Sequence, residues 1–265
     1  MSTLQWLYPN SLDELRECLQ NDTLLHGGGT GLMRNPPRKG SVADLSRVGI
    51  GGVERVADGM RLGGAARFAD VIQALNRSDH LLAKALSDAA SPALRNRITL
   101  GGSIALFPPW SSVVGPLIAL EARLQLVGQH EAWVSISDYL DNRELGKGTA
   151  IAAVEVDTAT AWTSYWFRFS RTHFNYPLFT VTVLTQVEGR SLSTARIVLT
   201  GNRGRYKRLT ELEREVVGGS PPEHIDANQL ATDVPDRQGF TGAYLTHVAA
   251  VEVTRGLRAG FGGAS

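Results

Sequence analysis

Two short segments concentrate the residue types that let a backbone approach a ligand. His26-Gly27-Gly28-Gly29-Thr30-Gly31-Leu32 follows the strand-like run Thr23-Leu24-Leu25, and Ile98-Thr99-Leu100-Gly101-Gly102-Ser103-Ile104-Ala105 follows Ser91-Pro92-Ala93-Leu94-Arg95-Asn96-Arg97. Glycine has no Cβ to hold a phosphate off, so two such loops can present backbone N–H groups to a diphosphate. Thr30, Thr99 and Ser103 add hydroxyl donors. Neither segment is a P-loop, because no Gly-Lys-Ser or Gly-Lys-Thr follows, and neither has the G-x-G-x-x-G spacing of a Rossmann nicotinamide site. Taken singly, each segment also reads as an ordinary turn at a strand end.

The other chemistry-bearing residues are fewer. His26 stands beside the first loop and reads either as a contact to a ligand or as a packed histidine at a strand end. Arg95 and Asn96 either brace the second loop or line a partner surface, and Trp110 after Pro108-Pro109 is either a plug over a ligand or core. His80, His130, His173, His224 and His247 have no paired metal-ligand spacing, so no metal site is expected. Cys18 is the only cysteine, which excludes an internal disulfide, a cysteine-only zinc site and an iron–sulfur cluster held by this chain alone. No histidine stands near it in sequence to activate it, and it reads as a small packed side chain.

A formal net charge of +1, with Lys and Arg scattered, makes nucleic acid an unexpected partner. No apolar run approaches the ~20 residues a helix needs to span a bilayer, and Met1 to Asn10 lacks the basic-then-apolar order of a secretory signal. A cytoplasmic location is the expectation. The length of 265 residues suits two compact units.

Periodicity places these residues on elements. Ser11 and Glu14 form a capping-box pattern before Leu12, Leu15 and Leu19, which predicts the first helix, with Cys18 inside it. Ser41 to Ser46 and Arg61 to Ala65 read as strands, the latter after a turn at Asp58-Gly59, and Phe68 to Leu75 and Leu81 to Ala90 as helices joined by a polar turn. Val114 to Glu121 predicts a helix and Arg123 to Val127 a strand, while Val134 to Leu140 and Ala150 to Val156 read as strands or short helices. Trp162 to Tyr176 is aromatic and basic; Trp162, Tyr165, Trp166, Phe167, Phe169, Phe174 and Tyr176 alternate enough for strand core, or part of them faces a partner. Phe179 to Val187 and Ala195 to Leu199 read as strands around a Glu188-Gly189-Arg190 turn, and Tyr244 to Leu257 as a final helix after a polar stretch, 218–239. The expected fold is mixed α+β. Residues 1–158 form one domain with lobes 1–50 and 51–158, residues 159–259 a smaller α+β domain, and 260–265 a disordered tail.

In this order the segments resemble the FAD-binding subunits and domains of molybdenum hydroxylases, the family of the xanthine and carbon monoxide dehydrogenases. Gly27-Gly28-Gly29-Thr30-Gly31-Leu32 is similar to that family's Ala-Gly-Gly-Thr/His-Asp/Ser-Leu loop, and Arg95-Asn96-Arg97-Ile98-Thr99-Leu100-Gly101-Gly102-Ser103 to its Arg-Asn-x-x-Thr-Ile-Gly-Gly-Asn loop. Further likenesses are Val42-Ala43-Asp44-Leu45-Ser46-Arg47, Leu62-Gly63-Gly64-Ala65, Pro116 to Ala122, Phe169-Ser170-Arg171 leading to Tyr176, and Ala195 to Leu199. Ser103 stands where the family has Asn, Ser112 where it has Asp, Ile98 where it has Gly, Arg168 where it has Lys and Asn175 where it has Asp.

The resemblance implies a PCMH-type FAD-binding domain followed by a flavoprotein C-terminal-type domain. It implies an FAD site built from Gly27, Gly28, Gly29, Thr30, Gly31, Thr99, Leu100, Gly101, Gly102, Ser103, Ser112 and Arg168, with no catalytic acid or base from this chain. It further implies a molybdopterin-binding large subunit that hydroxylates a substrate with water as oxygen source, at a molybdenum cofactor. An iron–sulfur small subunit relays electrons through two clusters to this FAD, and an external acceptor such as NAD, a quinone or oxygen receives them. Two other readings stay open: a stand-alone FAD oxidoreductase of the same fold, and a flavin-free docking subunit.

Overall fold

A computed structural model describes residues 3–75, 80–173, 175–219 and 222–261. The chain divides into two compact units that are not continuous in sequence. One holds Met1–Asn76, Ala89–Phe107 and Leu120–Ala159, the other Arg77–Asp88, Pro108–Ala119 and Thr160–Ser265.

The first unit begins with a parallel three-stranded sheet in the order β1 (Leu4–Leu7), β3 (Gly40–Asp44), β2 (Leu24–His26). Between β1 and β2 runs α1 (Leu12–Leu19). Ser11 caps it by accepting from the Glu14 N–H at 3.2 Å, but the return bond differs from the expected box, since Glu14 accepts instead from the Asn10 N–H at 2.8 Å. Leu15 and Leu19, one turn apart on one face, are buried with Ala43, Leu45, Val48, Ile50, Val127, Ala150 and Ala152, and Cys18 is half-buried beside them. Burial pushes the Cys18 thiol up, which keeps it protonated and unreactive.

The same unit continues into an antiparallel sheet of order β4 (Val53–Val56), β5 (Gly59–Gly63), β8 (Thr149–Asp157), β6 (Arg123–Gly128), β7 (Trp133–Ser135). Leu62, Val154 and Leu124 face one another across β5, β8 and β6, all fully buried. Such a row is worth roughly 1.5–3 kcal/mol per side chain. Three helices of this unit, α2 (Phe68–Leu75), α4 (Pro92–Arg95) and α5 (Leu100–Leu106), lead toward and away from the second glycine segment, and α7 (Ile136–Asp141) follows β7. The helical alternative at Val134 to Leu140 is thus realised after Ser135, and Ala150 to Val156 is strand. The polar turn expected after Leu75 falls at 76–79, outside the described residues.

The second unit is built on an antiparallel sheet of order β12 (Tyr206–Arg208), β11 (Ser191–Thr200), β10 (Phe179–Glu188), β9 (Thr163–Phe169). On one face Val181, Val183, Ile197 and Leu199 meet Leu245, Ala249, Val253 and Leu257 of α9 (Gly242–Ala259), together with Leu212 and Val216 of α8 (Thr210–Val216). Onto this sheet also pack α3 (Leu81–Ser87) and α6 (Val114–Ala119), two helices that come from the N-terminal half of the sequence. All six residues of α6 are buried. Phe261, expected in a disordered tail, packs on this core, and its N–H donates to the Arg258 carbonyl at 3.0 Å; residues 262–265 lie outside the described residues. Part of the polar stretch at 218–239, residues 220 and 221, and Phe174 of the aromatic run also lie outside them. Among the described residues no helix is long and apolar enough to cross a membrane.

Candidate cofactor-binding site

The first glycine segment leaves β2 at its carboxyl end. Gly29 takes φ +73°, a left-handed conformation that a side chain would strain. The turn is then held by carbonyl acceptance alone, with the Met33 N–H on the Gly29 oxygen at 2.9 Å and the Arg34 N–H on the Gly31 oxygen at 3.2 Å. The N–H groups of Gly28, Gly29, Thr30 and Gly31 have no acceptor among the described residues. Four successive donors thus lack a protein acceptor, on half-buried Gly28, Thr30 and Gly31 and on buried Gly29, and unpaired donors of this kind are costly unless water or a ligand takes them up.

The segment owes its position to the second one. A Cβ on Gly28 would fall 1.5 Å from the Arg97 carbonyl oxygen, and a Cβ on Gly27 2.6 Å from Thr99 Oγ1. Only glycine lets the two stretches of backbone lie so close. The Arg97 side chain then folds back, its Nε and Nη2 donating to the Gly28 oxygen at 3.4 and 3.3 Å.

The second segment, expected as a loop, is the start of α5. Thr99 is its N-cap and accepts from the Gly102 N–H at 3.3 Å, with the Ser103 N–H on the Thr99 carbonyl at 3.0 Å. The Leu100 N–H donates to Ala66 and the Gly101 N–H to Gly64, at 2.9 and 2.8 Å. These are the orphan donors that a helix start normally leaves free. Here they tie α5 to the chain leaving β5, so Thr99, Leu100 and Gly101 act as scaffold. What the second segment still offers is the half-buried Ser103 hydroxyl, which, like that of Thr30, has no partner among the described residues.

Beneath the first turn His26 is clamped. Its Nδ1 lies 2.9 Å from Asp44 Oδ2, the two side chains are each 16% exposed, and Trp6 meets its ring edge-on with centroids 5.2 Å apart. His26 Nε2 fills the space where a Gly29 Cβ would stand, 2.5 Å from that position. Burial pushes the Asp44 carboxyl up, but hydrogen bonds from Ser46 and the adjacent His26 outweigh it and hold it below the usual carboxylate range. Of the two readings of His26, the structure shows the packed one. Arg95 likewise turns back onto the carbonyls of Ala89 and Ala90, at 3.4 and 2.9 Å, and braces the chain ahead of the second segment.

Ser112 and Arg168 lie in the second unit. Ser112 is buried just before α6, and the neighbouring Ser111 hydroxyl accepts from the Val113 and Val114 N–H groups. Arg168, on β9, donates to Ser170 Oγ and to the carbonyls of His173 and Asn175, clamping the turn after the strand; burial pushes its guanidinium down. In the same unit Trp110 stacks at a tilt on the exposed Tyr176, centroids 5.0 Å apart. Tyr165, Phe167 and Phe169 pack on the sheet's core and Trp166 is buried, so this part of the aromatic run is strand core. Among the described residues no group of three or more His, Cys, Asp or Glu is arranged to hold a metal ion. Two contributors stand in segments that carry the resemblance but take no site role from the sequence: Asp44, eighteen residues from the histidine it orients, and Arg97, whose type and spacing single out no role.

Residues 2–157 match the model of the FAD-binding domain in molybdopterin dehydrogenase. Among solved structures, the chain is similar to one of carbon monoxide dehydrogenase from Hydrogenophaga pseudoflava, which lacks the Mo-pyranopterin moiety of its molybdenum cofactor, with 21% identity over 98% of both chains and a TM-score of 0.86. It is similar also to quinoline 2-oxidoreductase from Pseudomonas putida 86, at 20% identity over 100% of this chain and 98% of that one, TM-score 0.86. A cyanide-inactivated Cu,Mo-containing CO dehydrogenase gives 17% identity over the whole of both chains, TM-score 0.86. No curated protein sequence matches.

Proposed function

Because the chain belongs to the family of FAD-binding domains of molybdopterin dehydrogenases, we propose that it is the flavoprotein subunit of a multi-subunit molybdenum hydroxylase. The observation that carries this reading is the set of four unpartnered amides from Gly28 to Gly31, on a turn whose glycines admit the backbone of the second segment. The donor set suits a diphosphate: four successive neutral N–H groups lack a protein acceptor, three of them on glycines, and Thr30 in the first segment and Ser103 in the second each carry an unpartnered hydroxyl.

In this assignment Gly27 and Gly28 admit the neighbouring segment, Gly28 to Gly31 bind phosphate oxygens, and Thr99, Leu100, Gly101 and Gly102 keep α5 in place beneath. Ser103 offers a hydroxyl to the ligand, and Ser112 and Arg168 are the candidate cofactor-binding residues of the second unit. Residues 1–158 act as the FAD-binding domain, in lobes 1–50 and 51–158, and residues 159–259 as the C-terminal domain. FAD, when bound, would supply the electron-transfer chemistry between an iron–sulfur small subunit and an external acceptor. The chain's own work is to bind, orient and shield that group. A molybdopterin-binding large subunit carries the substrate chemistry in a cytoplasmic assembly. With Cys18 as the only cysteine, clusters belong on a partner.

The test is an absorption spectrum of the purified chain with and without added FAD, taken after gel filtration, followed by identification of co-purifying subunits. Flavin bands that stay with the protein, together with iron–sulfur and molybdenum-containing partners, are expected. A flavin-loaded chain that turns over a substrate without partners points to a stand-alone oxidoreductase. A chain that stays colourless in excess FAD is a docking subunit, and the proposal fails.

A further inference from the structure

The geometry points to Arg97 as the cationic anchor of the diphosphate, an inference that rests on the flavin reading and adds to it the one full charge the glycine turn lacks. The turn itself offers only neutral amides, while a diphosphate carries at least two negative charges that must be countered near the oxygens.

Two arginines flank the second segment, and the structure separates them. Arg95 places its Nη1 on the carbonyls of Ala89 and Ala90. Arg97 is exposed, has no carboxylate partner among the described residues, and lies against the turn with Nε and Nη2 on the Gly28 oxygen at 3.4 and 3.3 Å. Its own carbonyl sits where a Gly28 Cβ would be. Arg97 therefore holds Gly28 from two directions, through backbone contact and through its side chain. The bonds to the Gly28 oxygen are long and use one edge of the fork. Among the described residues no hydrogen bond takes up Nη1, and a guanidinium fork matches two phosphate oxygens at once.

The experiment compares the purified full-length wild type with Arg97→Met, which keeps the length without the charge, and Arg97→Lys, which keeps the charge without the fork. Affinities are measured for FAD and ADP, which carry a diphosphate, and for riboflavin, which does not. Arg97→Met is expected to weaken FAD and ADP about tenfold to a hundredfold, the range of a lost charge-assisted bond, and to leave riboflavin affinity unchanged, while the melting temperature of the ligand-free chain falls only slightly because the bonds lost to the Gly28 oxygen are long and made by an exposed side chain. Arg97→Lys should fall between, and the salt sensitivity of FAD binding should flatten in Arg97→Met. Equal FAD affinity in Arg97→Met and wild type overturns the inference. So does a loss shared by riboflavin and accompanied by a markedly lower melting temperature, which would mark a merely structural arginine. If wild type binds ADP through Arg97 but not FAD, the flavin reading fails and the anchor stands; if it binds neither, both fail.

Discussion

Gly27 to Gly31 and Leu100 to Ser103 draw on the same small residues, yet their amides meet opposite fates. In the first segment four N–H groups are left open, whereas in the second the Leu100 and Gly101 amides are taken up by Ala66 and Gly64 and the next two by Thr99. Glycine serves a different end in each. Around Gly28 it clears space so that a turn with open amides can rest on Arg97; at Gly101 it clears space so that a helix can rest on Gly64, whose oxygen would be 2.8 Å from a Cβ. A glycine-rich motif is thus two devices, an open cradle and the closed scaffold that shapes it.

The comparison breaks most visibly at Gly28. Gly28→Ala places a methyl 1.5 Å from the Arg97 oxygen, so the turn must lift off its support. The expectation is loss of detectable FAD binding and about 1–3 kcal/mol of stability, read by flavin titration and by thermal melting. Gly101→Ala is the matched change in the scaffold. It should cost about 1–2 kcal/mol in the melt but weaken FAD much less than Gly28→Ala, because no open amide is displaced. Equal effects of the two on flavin affinity would erase the distinction drawn between the segments.

A smaller effect sharpens the role of the support beneath the first turn. The Asp44 carboxyl titrates below its unfolded value, so its contribution is fully present above the unfolded value of about 3.9 and fades as pH falls through the folded one. Asp44→Asn should therefore flatten the acid limb of the stability curve, costing about 1 kcal/mol or less at neutral pH. An acid limb identical to wild type would mean that the His26–Asp44 pair does not support the turn.

Much of the fold is legible in the residues. Leu12, Leu15 and Leu19 announce α1 by spacing, the β-branched runs announce β10 and β11, and the apolar periodicity from Tyr244 announces α9, because each buries one continuous face. β1 and β4 are not legible. Each has only four residues, with no fully buried position to stamp a pattern on the sequence. Nor is the helix that begins at Leu100, since two adjacent glycines argue against it; it forms because β5's exit and the Thr99 cap absorb its first amides. Arg95 and Arg97 are chemically identical and two positions apart, and no pattern says which one faces the glycines.

The sequence by itself determined the family, through two motifs of backbone-exposing residues in a fixed order, and with it the class of cofactor. It also determined that no iron–sulfur cluster is held by cysteines of this chain alone, because one thiol cannot supply the ligand set. Only the tertiary structure decided which amides remain open, which arginine lies on the Gly28 oxygen, and that α3 and α6 pack on the sheet of the second unit. The reason is physical: local patterns record which faces are buried, whereas the partner that satisfies each donor is set by chain segments many residues away.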